Sequence, residues 1–109
     1  MTVSSKSIQI IQQGETIMYQ IDQDMHQCIQ NCLDCHSFCS NTVMYCLQKG
    51  GMHAELAHIR LMLDCAEICQ TSANFMLRGS ELHTRTCGIC AEICDRCAAS
   101  CRQMSMAMA

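Results

Sequence analysis

Proline and tryptophan are absent from the 109 residues, and only two phenylalanines, two tyrosines and five glycines occur. Without proline the chain has no obligatory helix breaker, and with few β-branched or aromatic side chains it has little from which to build a sheet. The composition predicts an all-α protein, and the length suits one core, so residues 1–109 are read as a single domain. Charge is scarce too: the formal net charge is −3 and the Lys and Arg residues are scattered, so no basic stripe offers itself to nucleic acid. No stretch is apolar enough to span a membrane. The opening MTVSSKSIQIIQQ carries one basic residue, Lys6, and no apolar run ahead of a small-residue cleavage site, so no secretory signal is expected. Neither a Ser-His-Asp set nor a carboxylate pair is visible, and the chain is not expected to be an enzyme.

Against these absences stand twelve cysteines, in three groups: Cys28, Cys32, Cys35, Cys39 and Cys46; Cys65 and Cys69; Cys87, Cys90, Cys94, Cys97 and Cys101. Nearly all lie three or four positions apart, which places each group on one face of a helix. Neighbouring Cβ atoms along such a face sit about 5–6 Å apart. A disulfide needs roughly 3.5–4.5 Å, so the thiols cannot staple to their own helical neighbours without distortion. With no secretory signal the expected compartment is the reducing cytoplasm, where thiols stay free and bind metal or do redox work.

Gly50-Gly51 and Gly79-Ser80 interrupt the helical pattern, with Ser80 a plausible N-cap. Helices are expected near residues 15–49, 52–78 and 80–104, after a short helical segment at 3–13 closed by Gly14, with residues 105–109 fraying. Such short joints force consecutive helices antiparallel, the geometry of an up-and-down four-helix bundle. The fourth place is expected to be filled by residues 3–13 folding back, with a homo-oligomer built on top.

Each thiol stripe extends beyond its cysteines. The first runs Met18, Ile21, Met25, Cys28, Cys32, Cys35, Cys39, Thr42, Cys46, and the second His58, Met62, Cys65, Cys69, Ser72, Met76. The third runs His83, Cys87, Cys90, Cys94, Cys97, Cys101, Met104, Met108. Axis-facing positions are thus filled almost wholly by thiol, thioether and imidazole, and no carboxylate enters the stripes. Magnesium, calcium and a carboxylate-bridged di-iron site are poorly served, whereas copper(I), zinc and iron–sulfur clusters suit such ligands. Counted from the Gly50-Gly51 turn, the three groups overlap in height over a column of roughly 27 Å. Met25, Met76 and His83 come out level at the far end, beside His26, and are expected to form a mouth; His58 and Met62 lie deeper, level with Cys97 and Cys101. Candidate ligands are the twelve cysteines with His58, His83, Met25, Met62 and Met76.

Blander roles compete with these. Cys46 can serve as core filler at the column's end, and Met44, Met52, Met62 and Met76 are each ordinary packing residues. His36 lies one position off the stripe, where it either flanks the column or faces water. His53 is expected at the surface, and Asp22, Asp24, Glu67, Glu81, Glu92 and Asp95 on a solvated face.

The run Cys28-x3-Cys32-x2-Cys35-x3-Cys39, the segment IRLMLDCAEIC ending at Cys69, the turn RGSELH and the run CGICAEICDRCAASCRQM together resemble the cysteine-rich four-helix-bundle copper storage proteins of the cytosolic type. The resemblance covers about residues 25–104. It implies a helical bundle whose core thiolates store many copper(I) ions per chain in the bacterial cytosol, commonly as an oligomer. A copper chaperone or small thiol would deliver the ions. Thr42 and His58 stand where the family's rhythm would place further cysteines. A last cysteine-bearing helix is missing, and residues 1–24 are added in front, so capacity should be below that of richer relatives.

Copper(I) favours two or three sulfur ligands and thiolates bridge metals, so a filled column would hold on the order of ten ions per chain. Two rivals use the same residue types. An iron–sulfur electron carrier would wrap each cluster in loops, whereas every spacing here stays helical. A zinc-buffering, metallothionein-like protein needs tetrahedral thiolate sites, and a linear column is expected to offer few.

Overall fold

The computed structural model describes residues 21–107. In order these form α1 (Gln23–Lys49), a 3-10 turn (Gly51–Ala54), α2 (Leu56–Leu77) and α3 (His83–Ala107). Among the described residues there are three helices and no strand, as the composition predicts. The segment 3–13 expected in the fourth bundle position lies outside the described residues, as do Met18 and Met108.

Helix α1 begins at Gln23 rather than running through from residue 15. Asp22 is extended (φ −72°, ψ 170°), and its carboxylate accepts from the Met25 backbone N–H at 2.8 Å, so this residue is the N-cap. Asp24 in the first turn and Lys49 in the last match the ends of the helix dipole. Gly50, at φ 73°, ends the helix, and its N–H bonds to the Cys46 carbonyl at 3.1 Å.

The second junction differs from expectation. After α2 the Ser80 N–H bonds to the Phe75 carbonyl and the Gly79 N–H to that of Met76, each at 3.0 Å, with Gly79 at φ 65°. This paired pattern closes α2 and uses Ser80 as its last element. Ser80 is therefore not the N-cap of α3: its hydroxyl accepts from the Leu82 N–H at 3.1 Å, and the helix begins only at His83. At the other end α3 continues to Ala107, past residue 104, so 105–107 are helical rather than frayed. Residues 52–54 are likewise 3-10 turn, not α-helix.

Helix α2 packs along both α1 and α3, whereas the backbones of α1 and α3 approach each other little. The arrangement is a trough with α2 as floor. Ile29, Ala73 and Met76 form one apolar cluster; a second gathers Val43, Met62 and Ala66 with Cys39, Cys46, Cys65, Cys69, Cys90 and Cys97. On α1 the most buried aliphatics, Ile29 and Val43, lie beside the thiol stripe and not on it. Met44 and Met52, read as packing residues, are exposed.

Candidate metal centre

All twelve cysteines are free. The floor thiols Cys65 and Cys69 on α2 are 1% exposed, and Cys39, Cys46, Cys90 and Cys97 are also buried. Along the rims of the trough Cys32, Cys35, Cys87, Cys94 and Cys101 are half-buried, and Cys28 is exposed. Sulfur meets sulfur across helices at Cys35–Cys65 (3.8 Å), Cys65–Cys94 (3.6 Å), Cys69–Cys90 (3.6 Å) and Cys69–Cys94 (3.6 Å). One-turn neighbours add Cys35–Cys39 at 4.0 Å and Cys90–Cys94 at 3.8 Å. Two sets have all their sulfurs within 4.8 Å of one another: Cys35, Cys65, Cys69 and Cys94, and Cys39, Cys65 and Cys97. Cys65 belongs to both, so the groups share a corner. One four-membered set among twelve thiols agrees with the expectation that a linear column offers few tetrahedral arrangements.

Packing so many thiols together keeps most of them protonated. Burial pushes Cys65 and Cys69 far above the ordinary thiol range, helped by contacts from Cys94 to Cys65 and from Cys35 to Cys69. Cys39 is raised chiefly because it donates to Cys97, then by burial. Burial lifts Cys32 to about 12, and Cys94 and Cys101 to about 11. Cys97 goes the other way, to about 6, because the Cys39 thiol donates to it and Cys65 and Cys101 add to that. Without metal the column is thus a stack of neutral thiols around a favoured thiolate position. An ion entering it replaces protons as the compensating charge.

The two ends differ. At one, Met25, Cys28, Met76, His83 and Cys87 line a cavity of about 450 Å³ with Asp22, Asp24 and Thr84. The expected mouth residues Met25, Met76 and His83 do come together there; His26 is exposed and does not line it. Asp22 and Asp24, expected on a solvated face, are exposed and also stand at this rim, Asp22 as the N-cap of α1 and Asp24 in its first turn. At the other end His58 is buried, its Nδ1 2.7 Å from Ser100 Oγ and its Nε2 3.6 Å from Cys46 Sγ. Burial, with His53 nearby, lowers the His58 pKa and favours the neutral ring. His53, expected at the surface, is half-buried with Nδ1 3.9 Å from Cys46 Sγ and its ring edge-on to Tyr45. A histidine two residues beyond the Gly-Gly turn could have been read as folding back over the column's end.

His36 is half-buried beside the column, and its Nδ1–H donates to the Ala66 carbonyl at 2.7 Å, pinning α1 to α2. Met62 and Met76 are buried in the apolar clusters. Ser72, on the α2 stripe, is fully buried with a hydroxyl that has no partner among the described residues.

The sequence model of the copper storage protein family matches residues 21–109. The chain is 32% identical over 81 residues to the uncharacterized cysteine-rich protein YhjQ of Bacillus subtilis (strain 168), covering 74% of this chain and 75% of that one. It is also similar to the crystal structure of the Nmul_A1745 protein of Nitrosospira multiformis, with 54% identity, a TM-score of 0.74, and 76% and 77% of the two chains covered.

Proposed function

The chain belongs to the copper storage protein family, and from that premise we propose that it stores copper(I) in the cytoplasm, holding many ions on thiolates along the trough. The observation that carries this reading is the continuity of the sulfur network. Cys35, Cys39, Cys65, Cys69, Cys90, Cys94 and Cys97 form unbroken contacts of the kind bridging thiolates need, with no carboxylate among them. Cys28, Cys32, Cys46, Cys87 and Cys101 extend it toward both ends, giving on the order of ten ions per chain. Met25, Met76 and His83 receive ions at the mouth, since thioether and neutral imidazole bind copper(I) without first losing a proton; His58 and Met62 serve the deeper end. A copper chaperone or small thiol delivers the cargo, no reaction is catalysed, and the chain works as a homo-oligomeric single domain.

The test is anaerobic titration of the reduced chain with copper(I), followed by the ultraviolet absorption of copper–thiolate bonds. The Cys35→Ser, Cys94→Ser double variant removes both rim corners of the four-thiol set. It should keep its helical signal and lose at least half of the absorption change; loading equal to that of the unmodified chain would overturn the proposal.

A further inference from the structure

Four thiols from three helices meet at the middle of the trough: Cys35 of α1, Cys65 and Cys69 of α2, and Cys94 of α3, all within 4.8 Å of one another. Zinc bound by thiolates has bonds of about 2.3 Å, and a regular tetrahedron on such bonds has sulfur–sulfur edges of about 3.8 Å. Of the six edges, Cys35–Cys65 is 3.8 Å, Cys65–Cys94 and Cys69–Cys94 are 3.6 Å, and the other three lie within 4.8 Å, before any ion draws the sulfurs into place. The buried set Cys39, Cys65 and Cys97 supplies three sulfurs and so lacks the fourth corner.

We infer that, when copper is absent, Cys35, Cys65, Cys69 and Cys94 form a closed tetrahedral site for one divalent ion of the zinc class. The inference goes beyond copper storage and does not depend on it. Each thiol that becomes a ligand releases its proton to solvent, so four thiolates around a doubly charged ion leave two negative charges in the trough. The neighbours can meet that charge. Cys90 lies 3.6 Å from Cys69 and 3.8 Å from Cys94, and Cys39 lies 4.0 Å from Cys35. As a neutral thiol Cys90 can donate its S–H to one of these ligand sulfurs, and Cys39 can turn its own from Cys97 to Cys35, the outer support that metal-binding thiolates require. A rigid position on three helices also favours a metal that needs four fixed ligands.

Cobalt(II) is a coloured substitute for zinc, and its visible absorption is intense only in tetrahedral surroundings. Anaerobic titration of the full-length, reduced, copper-free chain with cobalt(II) should give that spectrum with thiolate charge-transfer bands, saturating at one ion per chain and bleached by one equivalent of zinc. Cys94→Ser and Cys69→Ser should each abolish it while far-ultraviolet circular dichroism stays helical. Cys28→Ser removes a candidate copper ligand but no corner, and should keep the spectrum. A weak, octahedral-type spectrum from the unmodified chain overturns the inference by itself, as does a tetrahedral spectrum that survives in either corner variant. Copper(I) counts on the same samples keep the two readings apart. About ten coppers without tetrahedral cobalt sinks the divalent site alone, whereas one tetrahedral cobalt with one or two coppers sinks storage alone.

Discussion

Where α1 crosses α2 beside the trough, the contact is made largely of methyl groups and one hydrogen bond: Ile29 with Ala73 and Met76, Val43 in the same core as Ala66, and His36 on the Ala66 carbonyl. Where α2 faces α3, sulfur meets sulfur at Cys65–Cys94, Cys69–Cys90 and Cys69–Cys94. The first contact is between groups that gain from leaving water and need nothing else. The second is between groups that pack as small hydrophobes while protonated and become ligands once deprotonated. Packing therefore falls mainly to the first contact and ligand supply to the second, with Met76 and the buried thiols beside Val43 and Ala66 belonging to both, so Ile29, which is no candidate ligand, should be removable without touching the sulfurs.

The largest expected effect on that division comes from the methyl side. Ile29→Ala should destabilise the metal-free chain by about 2–5 kcal/mol in a denaturant melt while leaving the copper count unchanged. A fall in the count equal to that of a thiol variant would erase the distinction. The next effect is on pH dependence. Cys94 and Cys101 have folded-state pKa values of about 11 and Cys32 of about 12, above the ordinary 9.0, so the folded chain binds more protons than the unfolded one over that window. Stability of the metal-free protein should therefore be held below pH 9 and fall as pH rises through 9 toward 11–12. Cys97, lowered to about 6, contributes with the opposite sign: its share is present above 9.0 and is lost as pH falls through 6. Melts between pH 8 and about 11 would show the decline, and copper-loaded protein, with no thiol protons left to lose, should show a flatter profile. The smallest effect is at Ser72, whose unpartnered buried hydroxyl costs folding energy. Ser72→Ala should stabilise the metal-free chain by about 1 kcal/mol, read by the same melts, with no change in copper bound.

The three helices and their cysteine faces were legible in the sequence because a spacing of three and four residues has one structural meaning. That Met25, Met76 and His83 line one cavity was legible too, since counting 1.5 Å per residue from a glycine turn puts them level. The errors have local causes. A periodic stripe names a row of side chains but not the line along which the partner helix lies, so Ile29 and Val43 were passed over although α1 is seated on them. Ser80 looks like an N-cap, and its hydroxyl does accept from the Leu82 N–H, but residues 81 and 82 form a turn and the helix starts only at His83. Ser100 and His53 gave no periodic signal. Their positions depend on contacts with His58 and Cys46 that only the packed helices create.

The central claim is that the sulfur network is a shared store rather than packing that happens to contain sulfur. Anaerobic titration of the fully reduced chain with copper(I) against a competing chelator tests it most directly, by counting tightly bound ions. Shared thiolates should give about ten or more per chain. Saturation at one or two would contradict the claim and leave the thiols as structural residues or as ligands for a different metal.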